Sequence, residues 1–307
     1  MRKVSVITVN FNQPLVTEDL LLSLSSENHY PETETIVVDN GSIINPVQDW
    51  KNRFPHTHFI RSDINLGFAG GNNLGIKQAS GDYLFLINND TEITNGLIDS
   101  LANILDSHPE VGMVSPKIKF HHMPDTLQYA GFTAMNYFTA RNSCIGFMEK
   151  DHGQYNSSTG PTGYVHGAAM MVRREAIQKA GLMAENFFLY YEEMDWCERI
   201  KEAGYMVWVE PNAEVYQKES ISVGKKSPLK EFFMNRNRIL FIRRNAPAFA
   251  RFIFYCHFAF LVVPRNLLMY LKEGRTDLIK QLFKAIWWNI TNKPDSINLG
   301  YPIQQHS

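Results

Sequence analysis

Short apolar runs alternate with segments of helical length over the first 115 positions. Runs at 4–9, 35–39, 57–61, 83–87 and 111–115 predict strands, and 14–26, 45–54, 69–79 and 96–107 predict helices between them. Pro14 suits the first turn of its helix. A run such as Tyr83-Leu84-Phe85-Leu86-Ile87 is apolar at every position, as a strand covered on both faces must be. The alternation therefore predicts a parallel sheet wound with helices on both sides. Right-handed crossovers carry the strand ends to one rim, so Asn10, Asp39 and Asp90 are expected there together. Residues 116–161 have weak periodicity and are expected to be irregular, as a functional or mobile loop. A strand at 167–173, a helix at 174–180 stopped by Gly181, a helix at 192–203 stopped by Gly204 and a final strand at 206–209 follow. From Pro228 the pattern is helical.

Composition changes this picture at one end only. The 307 residues are 44% hydrophobic and 20% charged, ordinary values for a globular chain. The net charge is -1, but residues 217–293 hold 15 Lys/Arg against 4 Asp/Glu, a local +11 that leaves −12 for the rest. Such asymmetry predicts a basic, surface-seeking C-terminal part, with an anionic membrane or nucleic acid as partner. No nucleic-acid module accompanies the charge, which argues against the latter. Arg251 and Arg265 bracket thirteen residues without formal charge, a run shorter than the ~20 needed to cross a bilayer. With Trp287-Trp288 nearby, the pattern fits an interfacial helix or, alternatively, a helical lid packed on the domain. Cys144, Cys197 and Cys256 have no metal or redox spacing, and a reduced, cytosolic setting is expected. Residues 1–9 do not read as a signal peptide.

Four segments carry candidate chemistry. Asn88-Asn89-Asp90 ends the apolar strand at 83–87, and oxygen-rich ligands there suit a hard divalent cation; a polar turn is the competing reading. Val37-Val38-Asp39-Asn40-Gly41-Ser42 offers a carboxylate to a base or ribose, or makes an Asx turn. Asn65-Leu66-Gly67-Phe68-Ala69-Gly70-Gly71-Asn72-Asn73-Leu74-Gly75 is a Gly-rich lead into a helix, where backbone can approach a ligand and the helix N-terminus favours anions. It is neither the dinucleotide fingerprint nor a P-loop. Tyr190-Tyr191-Glu192-Glu193-Met194-Asp195-Trp196 sets three carboxylates at a helix start after aromatic residues. Burial against such walls makes a carboxylate more basic, as a general base requires. Helix-dipole pairing and an Asp195–Arg199 ion pair explain part of that cluster. His166 reads as a hydrogen-bonded structural histidine.

In this order the four segments, with Val6-Ile7-Thr8-Val9-Asn10-Phe11-Asn12 before them, resemble a family 2 glycosyltransferase of GT-A fold, nearest to bacterial rhamnosyltransferase-like enzymes of surface polysaccharide assembly. The match covers residues 3 to about 220. The resemblance implies that Asn10 and Asp39 contact the nucleotide and that Gly67, Gly71, Asn72, Asn73 and Asn89 shape the donor pocket. Asn88 and Asp90 stand for the family's D-x-D metal site, with Asn in place of the first Asp. Asp90 is then the main protein ligand to Mn2+ or Mg2+. Glu193 falls at the catalytic base, with Asp195 as its neighbour and second candidate. Gln217 stands where many members carry a histidine near the metal.

The expected architecture is an α/β GT-A domain at 1–225, with a nucleotide-sugar half (1–115) and an acceptor half (116–225), and a basic helical extension at 226–307. The expected function is inverting transfer of a sugar from a nucleotide-diphosphate donor, dTDP-rhamnose or a UDP-sugar, to a glycan or polyprenyl-linked acceptor. The expected location is cytoplasmic, peripheral on the inner face of the membrane. The competing readings are sugar-nucleotide nucleotidyl transfer and a non-catalytic sugar-nucleotide or glycan-binding module. The former calls for a Gly-rich, Lys/Arg-bearing loop that Asn10-Phe11-Asn12-Gln13-Pro14 lacks.

Overall fold

A computed structural model describes residues 2–218 and 227–303. Its strands are β1 (Val4–Asn10), β2 (Thr33–Asn40), β3 (Thr57–Ser62), β4 (Tyr83–Ile87), β5 (Thr91–Ile93), β6 (Val111–Phe120), β7 (Met123–Tyr129), β8 (Gly160–Pro161), β9 (Ala169–Arg173) and β10 (Met206–Gln217). They form one sheet in the order β3-β2-β1-β4-β9-β6-β10-β5, with β7 on β6 and β8 on β10. β1 to β4 pair in parallel, and β10 is parallel to β6. β9 is antiparallel to both β4 and β6, so β6 and β10 point the same way as β1 to β4. The sheet is mainly parallel, as expected, with the reversed β9 in its middle.

Side chains alternate across this sheet with period two. Tyr83, Phe85 and Ile87 pack with α1 (Pro14–Glu27), α2 (Val47–Arg53) and α4 (Leu97–Ser107) on one face. Leu84 and Leu86 pack on the other with α3 (Gly67–Gln78), α5 (Arg174–Ala180) and α6 (Glu192–Glu202). Both layers are buried, which is why the strands read as continuous apolar runs. Strand order reverses at β1: β2 and β3 lie to one side, β4 to the other. The crevice beyond the carboxyl ends of β1 and β4 is thus the topological switch point, where such sheets bind ligands.

Three expectations change. Residues 116–161 are more regular than predicted, because β6 runs on to Phe120 and turns back as β7. Polar positions hid it: Lys117 and Lys119 lie inside β6 and form a four-charge cluster with Asp151 and Glu214 at 2.8–2.9 Å. β10 likewise extends past Val209 to Gln217. The apolar C-terminal run is longer than thirteen residues. α8 (Ala248–His257), a π turn over Phe258–Val262 and α9 (Val263–Lys272) form one continuous helix of 25 residues, long and apolar enough to cross a membrane by length and composition.

The C-terminal helices are not a separate appendage. α7 (Pro228–Asn245), α8, α9 and α10 (Thr276–Thr291) share the core of the α3 and α6 face through Leu240, Phe241, Phe254, Tyr270 and Leu282. The basic residues of α7 turn inward rather than outward. Arg236 is fully buried, stacked on Phe233 and Trp288, and donates to the carbonyls of Phe187 (3.0 Å) and Leu299 (2.9 Å). The expected boundary between residues 225 and 226 falls outside the described residues.

Candidate functional site

A cleft of about 270 Å³ opens at the switch point. Its walls are Val9, Phe11 and Gln13 at and just past the end of β1, Asn40 ending β2, Ile87 to Asp90 from the end of β4, and Asn65, Gly67, Phe68 and Asn72 around the start of α3. Phe188, Leu189 and Leu229 close the far side. The expected donor residues Gly67, Asn72, Asn88, Asn89 and Asp90 therefore meet in one space.

Gly67 is fixed by conformation as well as space. Its φ is +72°, and a Cβ there would stand 2.3 Å from the carbonyl oxygen of Phe188. The next amide, Phe68 N, donates to that carbonyl at 2.7 Å, which ties the head of α3 to the 186–191 loop. Asn40 braces the same turn by donating to the Gly67 carbonyl (3.0 Å) and accepting from Leu66 N (3.0 Å). Asn72 donates to Phe68 O, and Asn89 to the Thr17 hydroxyl.

Other expected ligand residues lie behind the wall. Asn10 and Asp39 are fully buried. The parallel register sets Asn10 beside Asp39 and Asp39 beside Arg61. Asp39 consequently pairs with Arg61, accepts from Ser42 Oγ at 2.5 Å and accepts from Asn10 Nδ2 at 2.8 Å. Both carboxylate oxygens of Asp39 are thus engaged within the protein, which fixes the side chain behind the Asn40 wall of the cleft. Gly71 packs under Val9 and Asn40. Asn73 faces away, gripping Met183 through both its amide atoms (2.9 and 3.1 Å) and Glu185.

Asp90 is buried, and burial pushes its carboxyl up to about 6 despite the Gln217 hydrogen bond and nearby Lys218. Gln217 Nε2 lies 3.2 and 3.5 Å from the two Asp90 oxygens. The other Gln217 amide atom, Oε1, is buried without a partner. An amide O and N are exchangeable by rotation, so this pair offers a cation a carboxylate and an amide oxygen. That donor set fits a hard divalent ion. Among the described residues no three His, Cys, Asp or Glu side chains cluster as a metal cage, so the remaining ligands must come from elsewhere, as phosphate oxygens or water. Asn88 lines the cleft; its backbone amide donates to Ala168 O, and its carbonyl accepts from the Thr91 hydroxyl.

The three carboxylates of α6 have different fates. Asp195 is fully buried and saturated by Arg199 (2.9 Å), Arg244 (2.7 Å) and Asn245 (3.1 Å). Held by a guanidinium from each helix, Asp195 braces α6 against α7. Glu192 is buried with one oxygen unpartnered, and burial, then repulsion from Glu193, holds its carboxyl well above the usual range. Glu193 is raised by burial too, although the first amides of α6 oppose the shift. It is half-buried and packs against Gly167, as does the ring of Phe68, which also lines the cleft. Nearby, His166 is pushed down to about 4 by burial and accepts from Ala168 N, so it is neutral.

The loop before α6 is bent by three non-glycine residues at positive φ: Phe188 (64°), Tyr190 (73°) and Tyr191 (74°). Asn237 of α7 holds it, donating at 2.8 Å to the carbonyls of Phe187, Leu189 and Tyr190. Sequence reasoning missed Asn237, Arg236, Asn40 and Arg61. Polar residues inside an otherwise apolar helical pattern were the signal for the first two.

The model for "Glycosyl transferase family 2" matches residues 5–181. The N-acetylglucosaminyl-diphospho-decaprenol L-rhamnosyltransferase of Mycobacterium tuberculosis is 25% identical over 240 residues, 72% of this chain and 77% of its own. The dTDP-rhamnosyl transferase RfbF of Shigella flexneri is 22% identical over 255 residues, 78% of this chain and 79% of its own. Among solved structures, GalNAc-T7 with UDP, GalNAc and Mn2+ superposes with a TM-score of 0.62 at 12% identity, over 79% of this chain and about half (48%) of that one. S. aureus TarS 1–349 with UDP-GlcNAc superposes with a TM-score of 0.60 at 18% identity, over 94% and 81%. The fold is GT-A.

Proposed function

The chain belongs to glycosyl transferase family 2 and is a glycosyltransferase; from that premise we propose that it moves a sugar, with inversion, from a nucleotide-diphosphate donor in the switch-point cleft to a hydroxyl of a polyprenyl-linked glycan acceptor. The observation that carries this reading is the switch-point cleft that Asp90 and Phe68 both line, with the unpartnered Gln217 oxygen beside Asp90, and with Glu193, its carboxyl raised by burial, packed against Gly167 as the Phe68 ring is. Asp90 and Gln217 would hold a divalent cation, Mn2+ or Mg2+. Such a cation, when bound, offsets the charge that gathers on the leaving diphosphate. Gly67, Asn72, Asn88 and Asn89 line the diphosphate's path. Glu193 takes the proton of the acceptor hydroxyl as its oxygen attacks the anomeric carbon, and a single displacement inverts the configuration. Asp195 positions α6 and does no proton transfer. The two rhamnosyltransferase relatives support dTDP-rhamnose as donor.

A polyprenyl-linked acceptor supports a location on the inner face of the membrane. The helix 248–272 has its inner side packed on the core, while Phe249, Phe252, Phe260, Leu261, Leu268 and Leu271 are exposed. Trp287 and Ile290 of α10 extend that apolar surface. A helix anchored along its length on one side lies in the interface rather than across it. Glu193→Gln tests the mechanism: transfer falls by about 10³-fold or more, while affinity for the nucleoside diphosphate with Mn2+ is kept. Turnover within tenfold of the parent would remove Glu193 from the role of base.

A further inference from the structure

A second cavity, of about 300 Å³, lies between the 139–141 loop and the long C-terminal helix. It is lined by Thr139, Arg141, His257, Leu261, Val262 and Arg265. His257, Leu261 and Arg265 recur at four-residue spacing, which sets them along one face of a helix. The π turn over Phe258–Val262 lies within this stretch, and such turns gather at functional sites. Arg141 comes from the opposite wall. Its loop is closed by the Asn136–Arg141 bridge and pinned by Arg238, whose guanidinium donates to the Thr139 carbonyl.

Charge in this cavity is one-sided. No acidic residue lines it, and among the described residues Arg141, Arg238 and Arg265 form no ion pair. Arg238 Nε is buried without a partner. Burial, then the neighbouring Arg238, Arg141 and Arg265, keeps His257 below its ordinary range. Cations gathered without a counter-ion are an anion site, and guanidiniums match phosphate oxygens two at a time.

Two neighbours say which anion. Leu261, 61% exposed, and the adjoining Phe260 open the cavity toward the apolar surface of the helix. On the other side, Arg238 and Arg141 both act on the phenol of Tyr191, which also feels Glu193. The cavity therefore adjoins an exposed apolar surface on one side and, through Arg141 and Arg238, the Tyr191 segment that leads into Glu193 on the other. We infer that it binds the diphosphate of a lipid-linked acceptor, with the lipid leaving over Leu261 and the sugar directed toward Glu193. The inference rests on the acceptor proposed above and assigns that acceptor's anchoring residues, Arg141, Arg265 and His257.

The test is titration of the full chain with farnesyl diphosphate, read both with the donor cleft filled by UDP and Mn2+ and without them. The parent binds, and Arg141→Gln and Arg265→Gln each weaken binding at least tenfold with unchanged melting temperature; both side chains are exposed, so the fold does not depend on them. Affinity for UDP with Mn2+ stays within twofold in the same variants. Farnesol and phosphatidylglycerol vesicles, offered as competitors, displace the probe poorly. Unchanged farnesyl diphosphate binding in both variants, or equal competition by phosphatidylglycerol, would overturn the inference. Failure of the parent to bind UDP with Mn2+ would instead count against the donor cleft, since the prenyl arm is decided without it.

Discussion

Asp90→Asn separates the cost of the proposed metal ligand from its use. In the metal-free protein the Asp90 carboxyl titrates at about 6, against roughly 3.9 in an unfolded chain. A raised carboxyl binds its proton more tightly in the fold, so the fold is favoured at low pH and loses stability as pH rises from about 4 through 6. At pH 7.5 the buried charge costs about 3 kcal/mol, and at pH 4.5 under about 1 kcal/mol. Asparagine removes the charge and keeps the shape. Its amide can donate to the orphaned Gln217 Oε1 while its oxygen accepts from Gln217 Nε2, closing a pair that Asp90 leaves half-made.

The expected result in EDTA at pH 7.5 is a melting temperature higher than the parent's by about 3–5 °C, taking the entropy of unfolding as about 2 cal/mol/K per residue. The gain shrinks to about 1 °C near pH 4.5. With UDP and Mn2+ the order reverses, because the parent gains stability by mass action and the variant loses that gain. Calorimetric scans of both proteins under the three conditions measure all of it. A variant that melts below the parent in EDTA at pH 7.5, or that keeps the full Mn2+-dependent increment, would refute the reasoning.

Three other perturbations follow. Gly67→Ala forces a side chain into φ +72° and against the Phe188 carbonyl; a loss of about 2–4 kcal/mol in urea unfolding and weaker UDP binding are expected, and an unchanged midpoint would contradict it. Lys117→Met leaves Asp151 and Glu214 to share Lys119 alone; breaking such a buried set costs about 3–5 kcal/mol, and a loss under about 1 kcal/mol would show the cluster to be ornamental. Phe252→Glu with Phe260→Glu puts charge on the exposed helix face; flotation with phosphatidylglycerol vesicles should fall severalfold with the fold intact, and undiminished flotation would place membrane contact elsewhere.

Residues 1–115 were legible because their physics is local. β1, β4 and the second part of β2 are buried runs with polar turn residues after them, and the helices between carry their own start and stop signals. The positions of Gly67, Asn72 and Asp90 follow from that order alone. What lay beyond reach was set by partners far away in the chain. Lys117 and Lys119 disguised the continuation of β6 because their counter-charges are at 151 and 214. The partners of Asp39 could not be read either: the registers of β1, β2 and β3 set Asn10 and Arg61 on either side of it. Thr91–Ile93 is too short to show any period, and it pairs with residues 215–217.

The same logic explains why the C-terminal helices misled as a sequence. Their charge suggested a surface, yet Arg236, Arg244, Asn237 and Asn245 all turn toward the segment that carries Glu193. That segment needs them. Three successive bends at positive φ cost of order 1–2 kcal/mol each for non-glycine residues, and a helix that begins with Glu192, Glu193 and Asp195 concentrates negative charge in one turn. Asn237 takes three of the loop's carbonyls, Arg236 takes Phe187's from another side, and Arg244 neutralises Asp195. Burial raises both Glu192 and Glu193 while two guanidiniums hold Asp195, so the three carboxylates of one turn have three different surroundings. α7 moulds this loop and shares one core with α8 to α10, whose outer side carries the exposed apolar residues. On the function proposed above, a lipid-linked acceptor docking on that outer side meets a site whose inner side α7 has already built.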